Sequence, residues 1–321
     1  MQEYFGRNQD PRLKMIDARK AVTDTGKKRI SAVSQIMTKN QIRDYIIAQV
    51  ETMPPLPSLV TQIMQMISDE KSCAGSFESL FRKDPILTAR LLRLVNSSFF
   101  GFRNKVSSIP QAIVMVGYES LKNLVLAASI SRFVKGSYPG YGYKDSGLWQ
   151  HSFLTATWAE RLAVALGWSK NESQCVFVSG LLHDIGKLIM SSYLTEHIRE
   201  MLISLIEAEG DLVYAEKHVV GIDHAEIGAC IAEKWNFSPR LIDVIKHHHI
   251  TIKDRRSDGE TALLKIVDHV INRSGIGMYN NFPITHNLDT VCLANLGINA
   301  NVLLDLQQEI IKSSESLVSQ I

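Results

Sequence analysis

The chain has little of what would mark a secreted, membrane-bound or nucleic-acid-binding protein. Its four cysteines, Cys73, Cys175, Cys230 and Cys292, stand far apart with no C-x-x-C pair. That spacing excludes a disulfide framework and a zinc ribbon, and leaves reduced thiols in a cytoplasmic protein as the expectation. Charge of one sign is also missing: 35 basic against 33 acidic side chains give a net charge of +2. The whole molecule therefore has no electrostatic pull toward anionic lipid or nucleic acid, and neither is expected as a partner. The opening MQEYFGRNQD has no apolar signal core, and the most apolar window, Leu121 to Val134, is interrupted by Lys122, Asn123 and Arg132. No membrane span or secretion signal is expected. Runs of alternating apolar and polar residues long enough for a sheet, internal repeats and low-complexity tracts are absent too.

What is present is helical periodicity. With 45% hydrophobic residues over 321 positions, the chain can bury a core in each of two domains. Residues 1–40 form a basic leader, with nine Lys or Arg against four acidic residues and few large apolar side chains. From Thr38, Ile42, Tyr45, Ile46 and Val50 recur at helical spacing until Pro54, Pro55 and Pro57 stop them. Leu59, Ile63, Met66 and Ile67 give a second helix, and Phe77 to Phe81 a short third. Asp84-Pro85 reads as an N-cap followed by the first helical position, opening an apolar helix that ends near Asn96. Ser108 and Pro110 start another, broken by Gly117, and Leu121 to Phe133 follows. The loop GSYPGYGY, with four Gly or Pro among its residues, is read as a domain boundary. The expected organisation is all-α: the leader, a helical unit at 41–135, a second at 145–275, and a helical extension at 276–321 that packs back on the body.

In the second unit, histidines and aspartates occupy positions where an apolar residue is expected. His151 begins a stripe continued by Leu154, Trp158 and Leu162, and His183-Asp184 end the run from Val176 to Leu182. His224 lies one turn before Ile227 and Gly228, His248 one turn after Val244, and Asp268 shares a face with Leu264 and Ile271. Burying one imidazole or carboxylate alone costs several kcal/mol, so five such burials need a common compensator. A divalent metal supplies it. Imidazole with carboxylate suits Fe, Mn, Zn or Ni, and the donors suffice for two ions bridged by Asp184. Lys187, one turn beyond Asp184, is either a working cation beside that carboxylate or a solvated ion-pair partner. His247 is expected to be exposed.

The string Leu181-Leu182-His183-Asp184-Ile185-Gly186-Lys187 resembles the signature of the HD phosphohydrolase superfamily, with His151 as the upstream histidine and Asp268 as the distal aspartate. Pro54-Pro55-Leu56-Pro57, Asp84-Pro85-Ile86-Leu87-Thr88, Leu91 to Asn96, Phe99-Phe100-Gly101 and Gly221 with His224-Ala225-Glu226-Ile227-Gly228 resemble the HDOD family, the HD-related output domain of bacterial signalling proteins. The resemblance covers roughly residues 40 to 250. It implies a two-lobed, multi-helical HD-like fold, a bacterial origin and a regulatory role. The chain is also similar to the HD-GYP cyclic-dinucleotide phosphodiesterases in His151, His183-Asp184, Lys187, His224, His248-His249 and Asp268. It departs from them in that Ile250 follows His249, and no Gly-Tyr-Pro follows Asp258-Gly259.

Two functions fit this reading. In the first, the site binds metal, and an N-terminal lobe passes a conformational state to a signalling partner protein, with Asn96, Phe99 and Phe100 as candidates for the lobe junction. No receiver, kinase or diguanylate cyclase segment is seen, so the input is expected from a separate molecule or from the leader. In the second, the protein is a metal-dependent phosphohydrolase acting on a nucleotide, cyclic dinucleotide or other phosphorylated ligand. There Asp184 bridges the metals, Lys187 binds phosphate, and His249 is a further ligand or a proton donor.

Overall fold

The computed structural model describes residues 38–56, 58–68, 81, 84–97, 100–249, 259–278 and 290–317. The leader up to residue 37, the expected helix at Phe77 to Phe81 apart from its last residue, and Phe99 lie outside the described residues. Among those described, every regular element is a helix, and only isolated bridges join Tyr138 to Tyr143 and Tyr143 to Met278. The all-α expectation holds.

Helix α1 (Lys39–Thr52) starts at a capping box between Thr38 and Gln41, and Met53 ends it just before the prolines. Helix α2 (Ser58–Ser68) follows. Helix α3 (Pro85–Val95) opens as the sequence predicts, with the Asp84 carboxylate accepting from the Leu87 amide at 2.9 Å and Pro85 in the first turn. Asn96 ends it and ties the next strand of chain down. Its amide donates to the carbonyls of Leu92 and Val106, and its Oδ1 accepts from the Val106 amide, all at 2.7 Å. Helices α4 (Ile109–Val116) and α5 (Tyr118–Val134) meet at Gly117, whose φ of +81° permits a bend of 120° between them. Helix α5 begins three residues earlier than its apolar pattern suggests, because Gly117 ends one helix and starts the other.

The remaining helices are α6 (Gly147–Ala165), α7 (Lys170–Leu182), α8 (Lys187–Glu196), α9 (Ile198–Glu207), α10 (Leu212–Val219), α11 (His224–Lys234), α12 (Pro239–His247), α13 (Gly259–Arg273), α14 (Thr290–Asn295) and α15 (Ala300–Leu317). Helix α5 is the hub of the N-terminal part, packing on α2, α3 and α4 and also on α6 and α7. Helices α6, α7 and α13 form the centre of the second part, and α15 packs back on α6 and α13, as expected for the terminal helix. The apolar stretch from Lys170 to Glu196 is long enough to span a membrane, but 83% of its most apolar window is buried inside the fold.

The Gly- and Tyr-rich segment between α5 and α6 turns into the core over Gly140 to Tyr143. It makes a short 3₁₀ turn at Pro139–Tyr141 that packs on α8, and both Tyr141 and Tyr143 are fully buried. Gly140 donates its amide to Thr195 Oγ1 at 3.1 Å.

A partly buried polar seam joins the two parts. Asn123 on α5 donates to Glu160 Oε1 on α6 at 2.6 Å, and Gln174 on α7 donates to Glu119 on α5 at 2.8 Å. Burial pushes the Glu160 carboxyl up to about 7, against the opposing pull of Asn123 and Arg161. Its proton is thus held more tightly in the folded chain than in the unfolded one, where the carboxyl titrates near 4.5. The folded state accordingly loses stability as pH rises from about 4.5 to about 7. Glu160→Gln should abolish that slope and be more stable than the parent at alkaline pH by about 2–3 kcal/mol, as read by urea unfolding across pH. An identical pH profile in both proteins would contradict the assignment.

Candidate metal centre

Six helices bring the predicted donors to one point. His151 projects from α6 and Asp268 from α13, while His183 and Asp184 lie in the tight turn between α7 and α8. His224 is the first residue of α11, and His248 and His249 follow the last turn of α12. Local sequence sets these positions. Ser169 and Glu172 make a capping box that starts α7, Asp223 and Glu226 make one that starts α11, and Ser238 caps α12 with Pro239 in its first turn. Close helix approach does the rest. A Cβ at Gly180 would lie 2.7 Å from the Ala156 Cα, so glycine there lets α7 settle on α6 and brings His183 to His151. A Cβ at Gly186 would overlap the carbonyl oxygen of His224, so the start of α8 reaches α11 only with glycine.

The donors fall into two sets that share Asp184. In the first, His151 Nε2 lies 3.3 Å from Asp184 Oδ2 and 3.0 Å from Asp268 Oδ1. His183 Nε2 lies 3.3 Å and 3.4 Å from the same two oxygens, and the two Nε2 atoms are 3.2 Å apart. In the second, His224 Nε2 is 3.2 Å from Asp184 Oδ1 and 3.0 Å from His249 Nε2, and His248 Nε2 is 4.0 Å from Asp184 Oδ1. Ligand bonds of about 2.0–2.2 Å put neighbouring donors about 3.0 Å apart at right angles and about 3.4 Å apart in a tetrahedron. The five distances given for the first set, 3.0 to 3.4 Å, have that spacing.

Hydrogen bonds aim the imidazoles inward. A carbonyl oxygen only accepts, so His183 Nδ1 donates to Gly180 O at 2.8 Å and His248 Nδ1 donates to Ile245 O at 2.6 Å. His224 Nδ1 donates to the Glu216 carboxylate at 2.8 Å, which also accepts the His224 backbone amide at 3.0 Å. In each neutral ring the Nε2 lone pair then faces the cluster. Asp268 is oriented by Asn272, whose side chain donates to Oδ1 at 2.8 Å. Asp184 Oδ1, with His224 Nε2 3.2 Å away, and His248 Nε2 are buried without a satisfied hydrogen bond among the described residues, which fits a site that could hold a cation.

Electrostatics agree with the geometry. Burial alone would raise the carboxyls of Asp184 and Asp268, yet the surrounding histidines, with Lys187 beside Asp184, hold both far below the usual range. Burial opposes charge on His183, but Asp184 and Asp268 outweigh it and lift the ring to about 10. His224 is likewise lifted to about 9 against burial, mainly by Glu216. Burial and the neighbouring His183 and His224 depress His248 to about 3. Without a metal, the buried carboxylates are thus neutralised by protons on imidazoles. Metal binding has to displace those protons.

All the donor side chains except His249 are buried, and His249 is half-buried at the rim. Lys187 is not solvated: it is 2% exposed, and its Nζ donates to Asp184 Oδ2 at 2.7 Å. The Tyr141 and Tyr143 rings face this ammonium, with centroids 5.5 Å and 5.4 Å away. Burial and the nearby carboxylates hold both phenols far above their ordinary value. His247 stands apart from the cluster. It is half-buried rather than fully exposed, with Nδ1 2.9 Å from Asp243 Oδ1.

Sequence reasoning did not single out Glu216, Tyr141 or Tyr143. Glu216 was findable, since it follows Leu212 and Ala215 on the inward face of α10 and so breaks an apolar pattern as the donors do. The tyrosines carry no such signal, because a Gly-Pro loop has no periodicity to interrupt.

A family model described as "HDOD domain" matches residues 53–251. An uncharacterised protein of Treponema pallidum is 29% identical over 206 residues, covering 63% of this chain and 38% of that protein. Ribonuclease Y of Mycoplasmoides gallisepticum is 28% identical over 211 residues, covering 62% of this chain and 32% of that protein. The chain thus spans about a third of the length of these relatives. Among solved structures, an HDOD domain protein of unknown function from Geobacter sulfurreducens is similar in fold, with a TM-score of 0.69 at 22% identity over 87% of this chain and 98% of that one.

Because Glu216 orients His224 without being a donor itself, Glu216→Gln should retain the fold. The same change should weaken metal binding by about 10- to 100-fold, as measured by competition with a chromogenic chelator. Unchanged affinity would remove Glu216 from the site.

Proposed function

The chain belongs to the HDOD domain family, and from that premise we propose that it is a cytoplasmic bacterial signal-output protein whose buried metal centre sets the state of a helical body that regulates a partner protein. The observation that carries this reading is Asp184. One oxygen faces His151 and His183, which also meet Asp268, the other lies on the side of His224, His248 and His249, and every donor but His249 is shielded from solvent. Such a centre holds helices together more readily than it admits a substrate. The residues fit two transition-metal ions, Fe, Mn, Zn or Ni, held by His151, His183 and Asp268 and by His224, His248 and His249, with Asp184 between them. When bound, such a pair lowers the pKa of water toward about 7 and holds phosphate oxygens.

The chain's own helices supply a route out of the site. Helix α11 begins at His224 and ends at Lys234 and Trp235. Lys234 Nζ donates to the carbonyls of Val50 and Glu51 at 2.9 and 2.5 Å, and Trp235 Nε1 donates to Pro54 O at 3.2 Å. A shift of His224 is therefore delivered to the end of α1 and the proline segment that leads into the N-terminal helices.

A metal-dependent phosphohydrolase is the second reading, and the half-buried His249 favours it as the point of access. Against it, Lys187 spends its charge on Asp184 beneath two tyrosine rings and is not presented to a phosphate. Metal analysis of the protein and of Asp184→Ala, with turnover assayed on cyclic dinucleotides, bis(p-nitrophenyl) phosphate and short RNA, separates the two. The output reading expects about two metal equivalents lost in Asp184→Ala and no turnover. Turnover abolished by Asp184→Ala would replace it with the hydrolase reading. No metal in either protein would overturn both.

A further inference from the structure

We propose that the N-terminal helices carry a docking groove for an acidic, amphipathic segment of the partner protein, centred on Arg93 of α3 and Lys105 of the α3–α4 connection. The inference rests on the output reading and names the chemistry of its partner.

Between Asp84 and Glu119 the chain has no acidic residue at all, but it does have Arg90, Arg93, Arg103 and Lys105. In a molecule with a net charge of only +2, this is a local excess, and two of these cations, Arg93 and Lys105, meet at one piece of surface. A groove of about 610 Å³ opens between α3 and the segment leading into α4. Ala89, Leu92 and Val106 give it an apolar lining, and Arg93 and Lys105 supply cations at its edge. Asn96 braces the groove from within, since its amide clamps both backbone groups of Val106. Among the described residues neither Arg93 nor Lys105 forms an ion pair. Next to the groove, Arg93 also lines a small cleft with Arg90 and Lys135. There partial burial and the charges of Arg93 and Arg90 hold the Lys135 ammonium below its usual value. On α3 the exposed stripe Ile86, Ala89 and Arg93 runs at i, i+3, i+7 into the groove, with Ile86 64% exposed.

An apolar floor with a basic rim is complementary to a helix or strand that carries leucine-like side chains among carboxylates. A free phosphate is too small for a groove of this size and makes no use of its floor. Nucleic acid is disfavoured because, among the described residues, no aromatic side chain lines the groove to stack on a base.

The test is fluorescence anisotropy with a labelled peptide of about twelve residues carrying leucines at i, i+4 spacing among glutamates, a counterpart with every Glu replaced by Gln, and single-stranded DNA of similar length. The acidic peptide should bind, the Gln peptide should not, and affinity should fall on raising salt from about 50 to about 300 mM. The Arg93→Glu, Lys105→Glu double variant should weaken binding by about tenfold or more while keeping its full metal content. No binding of the acidic peptide, equal binding of the Gln peptide, tighter binding of DNA, or an unaffected double variant would each overturn the groove and leave the metal-centre reading standing. Turnover in the phosphoester panel with peptide binding intact would overturn the output reading and leave the groove.

Discussion

Asp184 and Asp268 place two buried carboxylates within about 3.4 Å of three imidazole nitrogens and a lysine ammonium. At such separations and in a low dielectric, uncompensated charge costs far more than any single packing contact contributes. The fold has to answer that charge, and it does so from several sides at once. Lys187 pairs with Asp184 Oδ2, Asn272 donates to Asp268, and Glu216 supports His224 from outside the cluster. The imidazoles complete the balance by carrying protons that a divalent cation would make unnecessary. A metal bound here would compete with those protons for the same lone pairs, and the helices that bring the donors would be held by whichever is present.

This dependence explains why the close contacts concentrate where they do. Helices α6 and α7 approach at Gly180, and α8 meets α11 at Gly186 and Gly228, so the glycines stand beside donors rather than at random in the helices. A methyl group at either contact would move a ligand before it moved anything else. The same logic places the interlobe hydrogen bonds of Lys234 and Trp235 at the far end of the helix that begins with His224. One rigid element thus touches the centre at its start and the N-terminal helices at its end.

Much of this was legible in the sequence because helices advertise themselves through periodicity and donors advertise themselves by interrupting it. Asp84-Pro85, Ser108 and Gly117 mark helix ends through backbone chemistry that needs no tertiary partner. His151, His224 and Asp268 each stand on a face that is otherwise Leu, Ile, Trp or Ala. What the sequence hides is what tertiary contact decides. A Gly-Pro loop with three tyrosines reads as a linker, yet Tyr141 and Tyr143 pack over Lys187 because the 3₁₀ turn seats on α8. Lys187 reads equally well as solvated or buried, since a lysine three residues after an aspartate reaches it in both cases. Only the burial of its neighbours distinguishes the two.

The position of Lys187 also bears on what the centre does. To meet a phosphate, its ammonium would have to leave Asp184 Oδ2 at 2.7 Å and the two aromatic faces beside it. That exchanges a buried charge-assisted hydrogen bond for one to a ligand, and it leaves the carboxylate less compensated at the moment the ligand's own negative charge arrives. A site tuned for hydrolysis gains by keeping such a cation free and the donors open to solvent on one side. Here the cation is committed to Asp184, and of the named donors all but the half-buried His249 are buried. The arrangement instead rewards permanence: donors held by backbone carbonyls and Glu216, a lysine held by the Asp184 carboxylate, and a loop of aromatics packed beside that lysine. On the proposed output reading, the occupancy of such a centre would reach the N-terminal helices through α11, where Lys234 and Trp235 meet the end of α1 and the proline segment beyond it.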